Sequence, residues 1–414
     1  MPETLEAETN PFEEFNKAMG AGVVTNPYPD FAAMRSGHIV PADVRQLMGL
    51  DPDADLGFDP ADVPPLFTVS SYEAVQEVLR DGVRFSSSGY AEVMGAVMGH
   101  TILEMDEPEH HAYRSLIQQA FSRKAMEAWE VDLVGPIVDE CIDTFIDDGR
   151  AELVSQLHFP FPVNVIAGLL GLPRADLAKF HRWTVELISV SIDMEMALNA
   201  SRSLYDYLLA FVHERRDTPG NDMISVLALA EHDGQRLTDD EIIAFCRLLL
   251  PAGAETTYRS SANLMCGLLT HPDQLDLVRN DRSLLPQAIE EGLRWEPPLL
   301  TIMRTATADT QVCGVDVPGG AMLVVNMGAA NHDERRWGDD ADDFDVLRKA
   351  NAHIAFASGP HMCLGMHLAR METKVAVNRI LDRLPNLRLD PVADPPYITG
   401  MTFRAPPRLD VVFD

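Results

Sequence analysis

The chain is short of positive charge: its 414 residues carry 33 Lys plus Arg against 64 Asp plus Glu, a net charge of −31. That balance opposes binding to nucleic acid or to an anionic membrane surface, because both would repel the protein's own field. An uncharged or cationic partner is easier to accommodate. Cysteine is scarce as well. The five present (Cys141, Cys246, Cys266, Cys313 and Cys363) are odd in number and widely scattered, unlike the dense, even sets of secreted disulfide scaffolds. No uninterrupted apolar run reaches the roughly 18 residues of a membrane span. The opening MPETLEAETNPFEEF is acidic and lacks the basic start and apolar stretch of a secretory leader. The expectation is a cytoplasmic protein in a reducing compartment, by default a monomer, with no membrane anchor and no nucleic-acid partner.

No repeat period or low-complexity tract occurs. With 46% hydrophobic residues the chain can build a large core, and its length exceeds the roughly 250–300 residues at which one core usually stops growing. Residues 41–68 are rich in Pro and Asp and predict a surface loop. Apolar residues recur at helical spacing over 71–80, 110–147, 163–170, 176–214, 239–270 and 284–295. Extended candidates are few: PPLFTVS, TQVCGVDVPGGAMLVVN around a central Pro-Gly-Gly turn, and the terminal RLDVVF. The fold class expected is mainly α with a minor β lobe (α+β).

The stretch HIAFASGPHMCLGMHLAR, residues 353–370, concentrates unusual chemistry around one thiol. Cys363 lies in a glycine-broken loop flanked by histidines and followed by a helix-like run. Four readings fit it. A buried, inert cysteine is the commonest fate of a free thiol. Zinc needs about four ligands at close spacing, yet no C-x-x-C exists. A nucleophile wants a histidine partner, and His361 is near in sequence but badly placed for it on a loop. A thiolate ligand to haem iron gives each irregularity a use. Gly359 and Pro360 shape a tight loop, Gly365 clears space for a flat macrocycle, and the helix N-terminus stabilises the thiolate.

Phe356, Gly359, His361, Cys363, Gly365 and the following Leu-Ala-Arg resemble the haem-binding signature of the cytochromes P450, the haem-thiolate monooxygenases. One departure is Ala357, where the family usually has glycine; a methyl costs little there if φ is negative. Other segments are similar to the family in the same order, and the resemblance spans about residues 71–408. Ala252, Gly253, Ala254, Glu255 and Thr256 look like the run that crosses the oxygen-binding face. Pro251 and Gly253 in mid-helix predict a local opening of its hydrogen-bond ladder. Glu291 and Arg294 are similar to the family's structural E-x-x-R pair, completed by Arg348. His110 and Arg114 match its H-x-x-x-R, and with Arg304, His353 and His361 they are the residues the resemblance implies for the haem propionates.

The resemblance implies one catalytic domain over 71–414, with 1–70 an N-terminal segment that begins the β-rich lobe. It further implies haem b on Cys363, and an enzyme that inserts one oxygen atom of O2 into its substrate. Thr256 would hold oxygen-derived species and Glu255 would relay protons. Peroxide-driven or isomerase chemistry is the second reading and a non-catalytic haem sensor the third. The pair Glu255 and Thr256 favours the first. The stretch SSSGYAEVMGAVMGHTIL, residues 86–103, falls where the family places a mobile loop over the substrate, and it contains no basic residue. A neutral, apolar substrate of terpenoid, steroid or aromatic class is therefore expected, touched by Met94, Val97, Met98, Leu299, Ile302 and Met401. The chain carries no flavin or iron–sulfur domain, so the resemblance implies a ferredoxin and its reductase as electron source. Arg114, Arg123, Lys124, Arg370 and Lys374 are the expected docking patch.

Overall fold

The computed structural model describes residues 16–17, 21–43, 63–232, 234–349 and 351–414. Most of the loop expected over 41–68, and most of the acidic opening segment, lie outside the described residues. The elements that position the site are, in chain order, β1 (Ile39–Pro41), β2 (Leu66–Val69), α1 (Tyr72–Arg80), β3 (Phe85–Ser86), α2 (Gly89–Met98), α3 (Glu109–Gln118), α4 (Pro160–Leu169), α5 (Asp239–Thr270), α6 (Leu285–Trp295), β4 (Thr301–Ala306), β5 (Thr310–Val312), β6 (Val315–Val317), β7 (Met322–Asn326) and α7 (Met366–Arg383).

Local chemistry explains where the helices start. Ser71 caps α1, accepting the Ala74 N–H at 3.2 Å. Thr238 and Glu241 form a reciprocal capping box at the head of α5, whose first turn adds Asp239 and Asp240 to the dipole. The helical spacing over 239–270 matches α5 to the residue. The predicted helix over 176–214 is instead two, Leu177–Ile188 and Met194–Asp217, because Asp193 caps a new start by accepting the Met196 N–H at 2.9 Å. Likewise Ser122 restarts the chain inside 110–147.

Five strands form one sheet in the order β1, β2, β7, β4, β3. β7 runs parallel to β2 and antiparallel to β4, with Leu323 beside both Phe67 and Arg304. The strands before residue 70 thus share a sheet with those after residue 300. The expected Pro-Gly-Gly turn lies between β6 and β7, closed by the Ala321 N–H on the Pro318 carbonyl at 3.1 Å. β5 and β6 form their hairpin around Cys313 and Gly314, both at positive φ, and Pro318–Gly320 carries the chain across to β7.

Two large buried clusters, beside a small one around Tyr28, Phe31, Leu300 and Ala329, follow from this arrangement. The larger is helical and runs from Val97 to Phe413; the second packs Val69, Val75, Leu79, Leu323 and Val325 beneath the sheet. α5 is buried on nearly all sides, with Ile243, Leu250, Ala254 and Leu264 and also the polar Arg259, Ser261 and Asn263 hidden from solvent, as befits a helix through the middle of a large core. It packs against α4 on one side and α7 on another.

Candidate active site

The Cys363 loop is closed by backbone bonds: the Cys363 N–H donates to the Phe356 carbonyl at 2.9 Å and the Ala357 N–H to Ile354 at 2.9 Å. Gly359 has φ +75, and a Cβ there would stand 2.3 Å from the Leu79 carbonyl at the end of α1. Only glycine fits so close to backbone. Ala357 has φ +60, which corrects the expectation of a cheap methyl: an L-residue in this region is strained by about 1–2 kcal/mol.

Cys363 is exposed, yet enough protein surrounds it that burial raises its thiol pKa. The Gly365 backbone N–H, Arg114 and Arg370 oppose that rise. Cys313, half-buried in its turn, has the reverse surroundings: burial and the carboxylates of Glu77 and Glu73 push its thiol up to about 11. The remaining three cysteines are buried. Of the five, Cys363 is the one whose neighbours favour a thiolate.

Cationic groups gather beside it. Arg114 on α3 donates to the Met362 carbonyl at 2.7 Å. His110, one turn earlier and 1% exposed, packs its ring against His361, centroids 4.1 Å apart and tilted by 34°. Burial, Arg304, His110 and Arg114 together depress His361 to about 3, so these four residues lie within one another's field. Arg304, buried on β4, donates to the Met303 carbonyl at 2.6 Å. Among the described residues neither Arg304 nor Arg114 has an ion-pair partner. His110 Nδ1 lies 3.2 Å from Glu107, while its buried Nε2 has no partner. Two neighbouring arginines, partly desolvated and without an ion-pair partner among the described residues, call for an anion in so acidic a chain, since burying unpaired charge costs several kcal/mol.

These features fit haem. The orphaned His110 Nε2 and the unpaired arginines suit propionates. A Cβ added at Gly365, which has φ −83, would meet no atom within 4 Å, so nothing in the protein itself demands glycine there. His353 does not join the set. Its Nε2 faces Glu290 at 3.2 Å and its Nδ1 accepts the Ala355 N–H at 3.2 Å. Although burial pulls Glu290 upward, Arg370 and His353 hold it down to about 2. Phe356 lies under Arg370, 4.5 Å from guanidinium to ring centre.

On α5 the exposed Ala252 and half-buried Thr256 mark an open face, the Thr256 hydroxyl donating to the Ala252 carbonyl at 2.8 Å. The helix is continuous through Pro251, and Gly253 has a packing reason instead of the expected opening: a Cβ there would meet Ile166 of α4 at 2.5 Å. Glu255 is buried against Arg259 at 2.9 Å, its pKa raised by burial despite that partner. Sequence reasoning missed Arg259 and also Glu372. Glu372 on α7 is fully buried, bonded to Thr257 on α5, with Oε1 unpartnered, and burial raises it to about 8. A carboxylate nine positions after the thiol is visible in the sequence, but nothing in its spacing tells that it points inward.

The expected substrate wall divides. Val97 and Met98 are 0% and 1% exposed inside the helical core, a correction, since neither offers surface to a ligand. Their segment is the helix α2, its end pinned by the Ser201 hydroxyl donating to the Val97 carbonyl at 2.6 Å. Met94, Leu299 and Ile302 are half-buried and Met401 is exposed. The expected docking patch is largely self-neutralised: Arg123 pairs with Glu127 (2.8 Å), Lys374 with Glu130 (2.5 Å) and Arg370 with Glu290 (2.6 Å). Lys124 is exposed.

The E-x-x-R pair is fully formed. Arg294 donates to Glu291 through Nε (2.8 Å) and Nη2 (2.7 Å), and Arg348 reaches the same carboxylate at 3.2 Å. Among the described residues no helix is long and apolar enough to cross a membrane.

Comparison with known proteins agrees with this geometry. The family profile described as Cytochrome P450 matches residues 173–411. The cytochrome P450 monooxygenase PikC of Streptomyces venezuelae is 34% identical over 387 residues, covering 90% of this chain and 87% of PikC. A steroid C26-monooxygenase of Mycobacterium tuberculosis is 35% identical, covering 80% of this chain and 89% of its own. The crystal structure of CYP109E1 from Bacillus megaterium in complex with testosterone superposes with a TM-score of 0.82 at 30% identity, covering 94% and 99% of the two chains. The Cys363 loop, the two arginines beside it and the Glu291–Arg294–Arg348 triad therefore sit in a chain that belongs to the cytochrome P450 family and is, by class, a P450 monooxygenase.

Proposed function

We propose that the chain binds haem b through the Cys363 thiolate and, acting as a monomer, inserts one oxygen atom of O2 into a neutral, apolar substrate, with electrons from a ferredoxin and its reductase. The observation that carries this reading is the cluster of His110, Arg114, Arg304 and His361, buried or half-buried beside Cys363, in which neither arginine has an acidic partner among the described residues. Haem, when bound, supplies the redox centre at which dioxygen is reduced.

The chain's own residues do the rest. The Gly365 N–H, Arg114 and Arg370 favour the Cys363 thiolate. His110 Nε2, Arg114, Arg304 and His361 would hold the propionates. The Thr256 hydroxyl, now on the Ala252 carbonyl, can turn to hold a water or oxygen species at the open face of α5. Protons reach that face from buried acids: Glu255, released from Arg259, and Glu372, which its environment keeps protonated near neutral pH.

Met94, Leu299, Ile302 and Met401 offer apolar surface, and methionine adapts to varied shapes. The similar steroid C26-monooxygenases and the testosterone-bound neighbour support a neutral polycyclic substrate. The ferredoxin would dock around Lys124 and displace the exposed Arg123–Glu127 pair, a cheap exchange because a fully exposed ion pair is screened by solvent and contributes little. Titration of the ferric protein with steroids, terpenoids and fatty acids tests the substrate class. A spin-state shift with steroids or terpenoids is expected; a response to fatty acids alone would overturn it. The reduced carbon-monoxide complex should show the red-shifted Soret band of thiolate ligation, and Cys363→Ala should lose it.

A further inference from the structure

Away from the Cys363 loop, three donor side chains from distant parts of the sequence converge. His38 precedes β1, Glu73 lies in the first turn of α1, and Cys313 occupies the turn between β5 and β6. A ring nitrogen of His38, a carboxylate oxygen of Glu73 and Cys313 Sγ all lie within 4.8 Å of one another. Glu77, one turn beyond Glu73, accepts the Cys313 N–H at 3.1 Å and stands 3.6 Å from its sulfur.

The surroundings suit a cation. His38 Nδ1 is 2.9 Å from the Ser71 hydroxyl oxygen, which already accepts the Ala74 N–H and has a second lone pair to offer. Arg335 Nη1, which can only donate, lies 3.5 Å from Nε2, which puts the ring proton on Nδ1 toward Ser71 and leaves the Nε2 lone pair for coordination, the usual outer support of a metal-bound histidine. Cys313 and Gly314 are the two central residues of a turn with φ +48 and +80, positions that favour Asn and Gly, so turn propensity does not account for a cysteine. Glu73 and Glu77 add negative charge. The resident cation is Arg335, whose Nη1 is 3.5 Å from His38 Nε2 while Nε and Nη2 hold Asp333. Its side chain is 43% exposed and its Nη2 also donates to the Arg35 carbonyl at 3.0 Å, so a bound ion need displace only the long Nη1 contact.

We propose that His38, Glu73 and Cys313 form a site for a borderline-soft divalent cation, best matched by Zn²⁺, with Glu77 or a water as fourth ligand. A mixed N, O, S set suits zinc, whereas the sulfur disfavours Ca²⁺ and Mg²⁺. Ligand atoms of a zinc tetrahedron stand roughly 3.3–3.8 Å apart. The exposed Glu73 and the half-buried His38 and Cys313 close the remaining gap by side-chain rotation. On binding, the Cys313 S–H bond breaks, its proton passes to solvent and an S–Zn bond forms, with no change of oxidation state. The ion would tie the start of α1 to the β5–β6 hairpin and the residue leading into β1.

The test uses the haem-loaded full chain with zinc alone as probe. After dialysis against a weak chelator, one zinc per chain should remain in addition to the haem iron. Zinc-edge X-ray absorption should show one sulfur at about 2.3 Å. Cys313→Ser and Glu73→Gln should each weaken binding at least about tenfold, with the carbon-monoxide spectrum confirming intact protein. Should either variant fail to fold, zinc protection of the wild-type Cys313 thiol against alkylation decides, because Cys141, Cys246 and Cys266 are buried and Cys363 carries haem. Loss of zinc on dialysis, a shell of nitrogen and oxygen only, or alkylation unaffected by zinc would overturn the site.

Discussion

Glu255 is clasped by Arg259 one helical turn on, Nη2 and Nε of the arginine both reaching Oε2, at 2.9 and 3.2 Å. The clasp points the carboxylate into protein, while its neighbour Thr256 lines the open face of α5. A relay through Glu255 must therefore break this pair in each cycle. Glu255→Gln is expected to lower kcat by roughly 10²-fold with little change in KM, the size of an ordinary general acid–base contribution. Steady-state rates with saturating reductase and ferredoxin read it; an unchanged kcat would remove Glu255 from the relay.

Thr256→Ala tests a different step. Without the hydroxyl, most reductant should go to hydrogen peroxide rather than product, so product formed per reductant consumed should fall several-fold while reductant consumption continues. Coupling equal to wild type would refute the role given to Thr256.

Ala357 and Gly359 lie two residues apart, both at positive φ, and their substitutions should have opposite signs. Ala357→Gly relieves an L-residue of about 1–2 kcal/mol of strain and gives back about 0.5–1 kcal/mol of unfolded-chain entropy. The net expectation is stabilisation of about 0.5–1 kcal/mol, seen as a higher Tm of the haem-loaded protein. Gly359→Ala drives a Cβ to 2.3 Å from the Leu79 carbonyl. It should lower Tm and haem retention together.

The contrast at Ala357 shows what is legible in the sequence. The cysteine loop, the long helix over 239–270 and the E-x-x-R pair can be read because periodicity, caps and punctuation are local, and the helix bounds agree to the residue. The sign of φ at 357 is set by how the loop folds back to bond Phe356 with Cys363, which no local pattern specifies. Gly253 misleads for a related reason. Its neighbour Ile166 is 87 positions away in sequence, so close helix packing looks like a catalytic opening. Val97 and Met98 carry the same ambiguity, since an apolar side chain looks alike in a core and in a binding wall. The register of His353 places it with the propionate residues, and only the geometry gives it to Glu290.

Glu291, Arg294 and Arg348 form a buried network in which Arg294 also donates to the carbonyls of Asn331, Ala341 and Asp343, at 3.1, 2.5 and 2.8 Å. Glu291→Gln leaves Arg294, 1% exposed, without a carboxylate and Arg348, 9% exposed, with Asp340 at 3.1 Å. A loss of about 3–5 kcal/mol is expected, together with failure to retain haem. Arg348→Lys keeps charge but loses the planar fork and should cost less. Chemical denaturation of both variants orders them; a Glu291→Gln protein as stable as wild type would contradict the buried-pair account.

Glu372 gives the pH dependence a sign. Its pKa rises to about 8 in the folded chain from about 4.3 in an unfolded one. Between those values the native state holds a proton that the unfolded state has released. Stability therefore falls as pH rises from about 4.3 to 8 and levels off above it, by at most about 5 kcal/mol. Glu372→Gln removes the titrating group, keeps a hydrogen-bonding partner for Thr257 and should flatten this slope, leaving the variant more stable than wild type at pH 8. If Glu372 also supplies protons to the open face of α5, the same variant should lose turnover at neutral pH despite its added stability. A stability gain without that loss would assign Glu372 to the core alone, and an unflattened slope would mean that its carboxyl is solvated in the folded protein.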